Sequence, residues 1–384
     1  MRKIIFIFIF FYLLIFNALS QKINIGIYNE QKIKSFTFTP ESGAYNLLVD
    51  TTIIMVISKG NAIQFNYSGD SITIKLKEKK IGTYKYLLIS GTSKINCFKI
   101  KPLIPSYNLR TYDDDLYLSV YQSKLQIVNK VEMDNYIAGV VESEGGAKAN
   151  IEYYKSQAII CRTYALMNIN KHIGESFNLC DNVHCQSYIG KCKTNTDIIN
   201  AAKFTTGLVI VDTTLSLISA TFHSNCGGET AFSEDVWTKP RSYLKSVSDP
   251  FCIKSAYSQW EKIITLDKWK KYLIKNGFKI KDSVSNPDYF SFTQLHRTMY
   301  YKLKNDSIPL TKIRADLNLR STYFSVEPKG NDIILKGKGY GHGVGLCQIG
   351  AMQMAASGYK YMDIIKYYYK NIYIVSTRAL QFGK

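Results

Sequence analysis

A glutamate near the end of one predicted helix is well placed for acid–base chemistry. The helix is predicted from about Met133 to Glu144 and ends at Gly145-Gly146, because helix C-termini favour glycine. At 100° per residue, Glu144 continues the apolar stripe of Ile137 and Val140. Burial and the negative end of the helix dipole should both raise its pKa, as a general acid requires. The alternative is a surface glutamate at a frayed helix end.

The eight cysteines provide the second chemical signal. Four potential zinc ligands follow the second predicted helix: His172, Cys180, His184 and Cys185. Two thiolates and two imidazoles fit a closed, structural tetrahedral zinc site. Their spacing is irregular, and a Cys180–Cys185 disulfide is the alternative, with Cys192 as a spare partner for either. Cys226 and Cys252 could pair with each other, whereas Cys161 lies on an apolar helix stripe and is predicted to be buried.

The elements that position these residues predict an α+β fold. Residues 21–105 read as short strands that form an N-terminal β module, with a boundary near Lys101-Pro102 and Pro105. A mixed catalytic region of helices packed on sheets, with a substrate groove, is predicted for residues 106–375. Its second helix begins at Asn150 as N-cap, a hairpin spans residues 325–337, and helices cover residues 345–356 and 362–370. Residues 260–310 stay unassigned.

The beginning of the chain predicts export. Residues 1–20 combine a basic start, thirteen apolar or aromatic residues and a cleavage site after Ser20, which is the pattern of a signal peptide. Thirteen helical residues span only about 20 Å of the roughly 30 Å hydrocarbon layer, so a membrane anchor is the poorer interpretation. No later stretch is long and apolar enough to cross a membrane. The predicted location is therefore periplasmic or cell-wall-associated.

The composition and net charge of the chain indicate which classes of partner it binds. The chain has 384 residues, of which 46% are hydrophobic and 21% charged, which excludes general disorder. Removing Arg2 and Lys3 from the formal charge of +19 leaves +17. Such a charge favours anionic partners, either lipid headgroups or cell-wall polymer, unless it reflects codon bias alone. Nucleic acid is not expected, since no recognition motif for it is present.

Three separated segments of the chain carry recognisable motifs. They are Asn129 to Glu144 with Tyr154 to Ala165, then Ser224 to Thr230 with Trp237 and Tyr243 to Val247, and finally Leu319 to Thr322 with Gly339 to Ala351 and Tyr367 to Tyr369. Together they resemble the stage II sporulation protein D family, whose other branch is the LytB amidase enhancers. They occur in the family's order and span roughly residues 105–375. The resemblance does not extend to the N-terminal β module.

The resemblance implies a lytic transglycosylase that cleaves peptidoglycan glycan strands with Glu144 as its acid and base. The muramic acid's own hydroxyl would close on the anomeric carbon and leave an anhydro-muramyl end. A hydrolase needs a second carboxylate; Glu229 and Asp235 remain candidates, whereas Glu142 is predicted to face solvent. The alternative function is a non-catalytic peptidoglycan-binding enhancer of a cell-wall amidase. A zinc metalloprotease is disfavoured, since no His-Glu-x-x-His segment is present.

The matching motifs also supply candidate substrate contacts. These are Gln157, Arg162, Ser224, Gly227, Gly228, Tyr340, His342 and Gln348. Arg162 has a buried ion pair as its alternative role, and His342 has the alternative of binding loop carbonyls. Core packing is the favoured role of Trp237 and of the tyrosines at 367–369. Some family members carry zinc through a similar His/Cys cluster, which favours one structural zinc per chain over the disulfide.

Overall fold

The computed structural model describes residues 21–146, 148–256, 258–281 and 286–381. The predicted signal peptide lies outside the described residues. Within them, the chain is a mixed α and β protein with more strand than helix. No helix of the described chain is both long enough and apolar enough to span a membrane.

Strands occupy the chain up to the first helix. Their bounds are β1 Lys22–Ile27, β2 Ser35–Ser42, β3 Tyr45–Val49, β4 Thr52–Ile57, β5 Ile63–Ser68, β6 Ser71–Leu76, β7 Lys79–Tyr84, β8 Leu87–Gly91, β9 Cys97–Ile104, β10 Arg110–Asp113, β11 Asp115–Tyr121 and β12 Lys124–Glu132. Alternating burial along β2, β5 and β6 shows that one face of each strand is turned to the interior. The predicted strand character of this region is confirmed.

The remainder of the chain contains the helices and shorter strands. The helices are α1 Met133–Gly145, α2 Ile151–Met167, α3 Thr196–Phe204, α4 Ser233–Trp237, α5 Leu266–Lys275, α6 Leu310–Asp316, α7 Gln348–Ala356, α8 Tyr361–Tyr368 and α9 Thr377–Gln381. The strands are β13 Leu179–Cys180, β14 Leu208–Asp212, β15 Phe222–His223, β16 Gln259–Thr265, β17 Tyr300–Leu303, β18 Asp306–Pro309, β19 Phe324–Lys329, β20 Asp332–Lys338, β21 Leu346–Cys347 and β22 Ile372–Ser376. Short 3-10 turns lie at Ile173–Glu175, Pro250–Cys252 and Pro287–Phe290.

Two antiparallel-rich sheets share the largest core. One has the strand order β13-β1-β12-β11-β8-β3-β4, and the other β10-β9-β2-β5-β6-β7. In the first sheet β1 pairs antiparallel with β12, so that Ile25 lies opposite Asn129. The core of these sheets continues without a break into α1, α2, α7 and α8. Strand pairing and core therefore both cross the predicted boundary at residue 105, and the division into domains stays a prediction.

Residues 259–338 form a second, smaller core. Here β16, β20 and β19 make an antiparallel sheet that packs with α5 and α6 around Trp269, Tyr301 and Phe290. The hairpin predicted for residues 325–337 is confirmed as β19 and β20. The predicted ends of α1 and the N-cap of α2 are confirmed as well, since the Asn150 side chain accepts the N–H of Glu152.

Candidate active site and cysteine clusters

Glu144 lies at the last turn of α1, with its carboxylate half-buried. The preceding turns bury Ile137, Val140 and Val141 completely, so the helix is fixed by its apolar face. Burial raises the pKa of Glu144 above its ordinary value, and a hydrogen bond from the backbone N–H of Ser187 to Oε1, at 2.7 Å, opposes this shift. A half-buried carboxyl with a raised pKa keeps its proton at a higher pH than an exposed glutamate, as a general acid requires.

Glu142 is partly exposed on the other side of α1, as predicted, but a loop that was not predicted binds its carboxylate. The segment from Cys192 to Thr194 folds across this side of α1 and covers the half-buried carboxylate. Oε1 accepts the Thr194 hydroxyl at 2.6 Å and the Thr194 N–H at 2.8 Å, and Lys193 donates its N–H as well. Burial alone would raise the pKa of Glu142, but these hydrogen bonds outweigh it and lower the pKa. Glu142 is thus an ionised anchor for a loop.

Gln348 reaches the end of α1 from the opposite side. It is the first residue of α7, is nearly buried, and donates its Nε2 amide to the backbone carbonyl of Glu144 at 3.1 Å. The preceding residue, Cys347, caps α7 by accepting the Gly350 N–H. The last turn of α1 is therefore held between the Ser187 loop and α7.

Two glycine-rich segments, residues 224–230 and 339–345, lie side by side next to α7. Asn225 and Tyr340 exchange both backbone hydrogen bonds, at 3.0 and 2.8 Å. Gly227 and Gly339 both have a positive φ, and a Cβ on Gly339 would lie 2.5 Å from the Asn225 carbonyl oxygen. The glycines are needed here because the two backbones approach too closely for side chains.

Aromatic rings line the exposed side of these segments. Trp237 and Tyr340 are 43% and 48% exposed, which overturns the expectation that Trp237 packs in the core. Trp237 lies 5.0 Å from the ring of His342. His342 donates from Nε2 to the Phe222 carbonyl and accepts the Val344 N–H at Nδ1, which is the predicted alternative of a histidine that binds loop backbone. Burial lowers the pKa of His342 to about 4, so the ring is neutral at pH 7.

The remaining predicted substrate residues divide into two groups. Ser224 and Gly228 lie partly exposed in the first glycine-rich segment, with the Ser224 carbonyl accepting the Ile349 N–H. Gln157 and Arg162 are buried in α2. The Arg162 guanidinium pairs with Asp134 at 2.9 Å and donates to the carbonyls of Ala202 and Thr205. Arg162 therefore forms the buried ion pair that was its alternative role. Neither Gln157 nor Arg162 is at the surface.

The four predicted metal ligands converge in the loop after α2. We call His172, Cys180, His184 and Cys185 the loop cluster, since their donor atoms all lie within 4.8 Å of one another. Cys185 Sγ lies 3.4 Å from His172 Nε2, and Cys180 Sγ lies 3.6 Å from His184 Nδ1. Both thiols are free, so the alternative, a Cys180–Cys185 disulfide, is not present. Cys192 lies apart and bonds to Glu142 instead.

Neighbouring residues hold the loop cluster in place. Cys180 belongs to β13, which pairs in parallel with β1, so that Cys180 lies opposite Gly26. The Nδ1 atom of His172 lies 2.6 Å from a carboxylate oxygen of Glu175, which leaves Nε2 facing the two thiols. A carboxylate on the outer ring nitrogen is the usual support of a metal-binding histidine. The cluster therefore has the donor set and the orientation to bind a metal ion.

The loop cluster leads directly to the candidate acid. Two residues after Cys185, Ser187 donates its N–H to Glu144. Gln186, between them, is buried and accepts the Tyr136 hydroxyl of α1 at 3.3 Å. Sequence analysis missed Ser187 and Gln186, because a backbone donor and a single buried amide leave no pattern in a sequence.

The candidate second acids lie elsewhere. Glu229 contacts the Arg297 backbone N–H and lies 3.4 Å from His296, and Asp235 is on α4. Burial and the Ser187 N–H are the causes of the pKa shift of Glu144. Of the two carboxyl groups in the last turn of α1, Glu144 is the one whose pKa is raised.

Comparison with known proteins agrees with this arrangement. A family model described as stage II sporulation protein matches residues 121–211, which include α1, α2 and the loop cluster. The chain is 30% identical over 280 residues to stage II sporulation protein D of Bacillus subtilis, covering 68% of this chain and 80% of that protein. The chain belongs to the stage II sporulation protein D family.

Two further relatives align with a larger share of the chain. A protein of Brachyspira hyodysenteriae described as uncharacterized is 26% identical over 346 residues, covering 89% of this chain and 87% of its own. The amidase enhancer of Bacillus subtilis is 25% identical over 402 aligned positions, covering 89% of this chain and 56% of its own. Membership of the stage II sporulation protein D family, as the motifs predicted, is thus confirmed.

Proposed function

We propose that this protein is an exported lytic transglycosylase that cleaves the glycan strands of peptidoglycan, with Glu144 as its single acid and base. The observation that carries the proposal is the environment of Glu144: a half-buried carboxyl with a raised pKa that accepts the N–H of Ser187. A relative named stage II sporulation protein D supports a role in the cell wall. The formal charge of +19 suits an anionic wall polymer.

The chemistry requires one group that changes role. Protonated Glu144 donates its proton to the glycosidic oxygen while the bond to the anomeric carbon breaks. The resulting carboxylate then accepts the proton of the muramic acid's primary hydroxyl, whose oxygen bonds to the anomeric carbon. Glu144 is protonated again and no water is consumed. A hydrolase would need a second carboxylate about 5 to 9.5 Å away.

The glycine-rich segments would bind the sugar chain. Trp237 and Tyr340 expose aromatic faces on which sugar rings can stack, and Ser224, Gly227 and Gly228 lie partly exposed beside them. His342 is a positioning residue in this proposal, since both of its ring nitrogens bind backbone and its face supports Trp237. Gln157, Arg162 and Gln348 likewise act by fixing α2 and the end of α1.

The products of digestion test this function. Purified glycan strands, with and without stem peptides, are incubated with the protein and analysed by mass spectrometry. We expect fragments with anhydro-muramyl ends and no new reducing ends, and we expect Glu144→Gln to release none. New reducing ends would identify a hydrolase and overturn the proposed mechanism.

A non-catalytic amidase enhancer is the second candidate. It is favoured by the relative named amidase enhancer, which aligns with 89% of this chain. Under this function, glycan strands stay intact, and the protein raises the rate at which a cell-wall amidase removes stem peptides. If the Glu144→Gln variant still stimulates the amidase and the glycan strands stay intact, the protein is an amidase enhancer.

We also propose that the loop cluster binds one structural zinc ion. Zinc bonds of about 2.0 to 2.3 Å place tetrahedral ligand atoms roughly 3.3 to 3.8 Å apart, and the sulfur–nitrogen distances of 3.4 and 3.6 Å fit this spacing. Four protein ligands leave no position for an activated water. The ion would hold the loop whose Ser187 N–H binds Glu144.

Metal analysis and activity together test the zinc proposal. Cys185→Ser should lose one zinc per chain and should lower the melting temperature and the cleavage rate. The matched control is Cys192→Ser, because Cys192 contacts Glu142 and lies outside the loop cluster. Zinc content unchanged in Cys185→Ser, or a Cys180–Cys185 disulfide in protein from its native compartment, would contradict the proposal.

A further inference from the structure

A second set of potential metal ligands converges behind the glycine-rich segments. It consists of Cys226, Asp249, Cys252 and Cys347, which we call the buried cluster. All four side chains are fully buried, and their donor atoms lie within 4.8 Å of one another. They come from the first glycine-rich segment, the 3-10 turn at Pro250–Cys252 and the N-cap of α7. Three distant parts of the chain therefore place sulfur and carboxylate atoms around one point.

The distances within the buried cluster match coordination better than a disulfide. Cys226 Sγ lies 3.4 Å from Cys252 Sγ, whereas a disulfide requires about 2.05 Å. Cys226 Sγ also lies 3.1 Å from Asp249 Oδ2. A Cys226–Cys252 bond, the pairing considered from sequence, would leave Cys347 and Asp249 aimed at the same point without a function. A tetrahedral ion uses all four groups.

The charge around the buried cluster also points to a cation. Asp249 is completely buried, and no ion pair of the described residues includes it. Its oxygens accept the Tyr368 hydroxyl at 3.0 Å and the Phe251 N–H at 3.0 Å, both from neutral donors. A buried carboxylate without a cation is costly. A divalent ion within reach of Oδ2 would remove that cost.

The surroundings of the buried cluster resemble those of a metal–thiolate centre. Cys347 Sγ accepts the backbone N–H groups of Cys226 and Gly350, at 3.3 and 3.4 Å. Such N–H donors orient and stabilise metal-bound sulfur. Arg297 donates to the Cys226 carbonyl at 2.7 Å. Three thiolates and one carboxylate carry two more negative charges than a divalent ion neutralises. The guanidinium of Arg297 offsets part of this excess.

We propose that the buried cluster is a second, structural zinc site. Three sulfurs and one oxygen suit tetrahedral Zn²⁺, and a filled shell of protein ligands excludes catalytic water. The ion would join the first glycine-rich segment to α7, whose Gln348 binds the carbonyl of Glu144. The end of α1 would then be fixed by one zinc on each side.

Zinc counting on the intact protein is the primary test. Protein purified without chelators should contain two zinc ions per chain, and X-ray absorption at the zinc edge should give an average of more than two sulfur ligands per zinc. The loop cluster alone would give one zinc with two sulfurs. One zinc per chain with two sulfur ligands, or free-thiol counts showing a Cys226–Cys252 disulfide in the denatured protein, would overturn the proposal, whereas one zinc with three sulfur ligands would contradict only the loop-cluster site.

Variants assign the second ion to its ligands. Asp249→Asn and Cys252→Ser should each lose one zinc and keep the loop-cluster ion, whereas Cys185→Ser should lose the other. The matched control is Cys97→Ser, which replaces a buried free cysteine outside both clusters and should keep two ions. If a variant fails to fold, the zinc of the wild-type chain is replaced by cobalt, and the thiolate-to-cobalt charge-transfer absorption is measured. Absorption that corresponds to two cobalt ions per chain supports the proposal. Absorption that corresponds to one cobalt ion contradicts it.

Discussion

Glu142 and Glu144 lie two residues apart on the same turn of α1, yet their pKa values shift in opposite directions. Burial raises the pKa of both. Glu142 accepts hydrogen bonds from Cys192, Lys193 and Thr194, and these overcome the effect of burial, whereas Glu144 accepts one N–H from Ser187. The deeper burial of Glu144 and the larger number of donors folded over Glu142 together determine which carboxyl can hold a proton.

The largest expected difference between these two residues is catalytic. Glu144→Gln removes the proton donor and should lower the rate of glycan cleavage by at least about 10² to 10⁴-fold. Glu142→Gln should keep most activity per folded molecule, because this side chain binds the 192–194 loop. Both rates are measured on the same glycan strands and normalised to folded protein by circular dichroism. Equal losses would show that the two carboxylates do not have separate roles.

The spacing of apolar residues in α1 predicted the environment of Glu144 but not that of Glu142. The spacing of Ile137, Val140 and Glu144 was sufficient to predict the inward position and the raised pKa of Glu144. The cover over Glu142 comes from a loop some fifty residues later, and helical periodicity contains no information about such a contact. A local sequence pattern predicts local structure, but a contact with a segment far along the chain can be found only in the structure.

The same limit explains what was predicted of the fold. Helices α1, α2, α7 and α8, the C-terminal end of α1, the N-cap of α2 and the β19–β20 hairpin depend on short-range signals, and these were predicted. Helices α3, α4, α5, α6 and α9 were not. The pairing of β1 with β12 joins residues about a hundred positions apart, and the buried cluster joins three segments. Cysteine spacing suggested a Cys226–Cys252 pair but gave no reason to include Asp249 or Cys347.

The pH dependence of cleavage should report Glu144 alone. Because its pKa is raised, the acid form persists above the ordinary range of a glutamate, about 4.3, and activity should fall as the pH rises through the higher value. The profile of kcat/KM against pH measures this. Glu142→Gln is the matched control and should leave the position of the alkaline limb unchanged. A limb that moves in Glu142→Gln would show that the two groups are coupled.

Stability should change in opposite directions in the two glutamine variants. A lowered pKa means that ionised Glu142 stabilises the fold above its unfolded pKa, so Glu142→Gln should cost about 1 kcal/mol or less at pH 7, because solvent screens this partly exposed charge. A raised pKa means that ionised Glu144 destabilises the fold, so Glu144→Gln should be neutral or stabilising by up to about 1 kcal/mol.

Urea unfolding at two pH values measures this difference. Below the pKa values of both groups the carboxyls are protonated, and the two variants should approach the wild type in stability. The loss in Glu142→Gln should therefore shrink as the pH falls through the lowered pKa of Glu142. A destabilised Glu144→Gln at pH 7 would indicate that the ionised side chain has stabilising contacts beyond the Ser187 N–H.

The smallest effect is expected from a single donor to Glu142. Thr194→Val removes the hydroxyl that lies 2.6 Å from Oε1 but keeps the backbone N–H groups of Lys193 and Thr194, so the free energy of unfolding at pH 7 should fall by less than in Glu142→Gln. The pKa of Glu142 should rise toward its ordinary value, because one of the donors that lower it is gone. Thr194→Ser keeps the hydroxyl and is the matched control. Cleavage by both variants should equal that of the wild type, since neither touches Glu144. If Thr194→Val lowers cleavage as well as stability, the 192–194 loop supports the acid, and the two carboxylates belong to one unit.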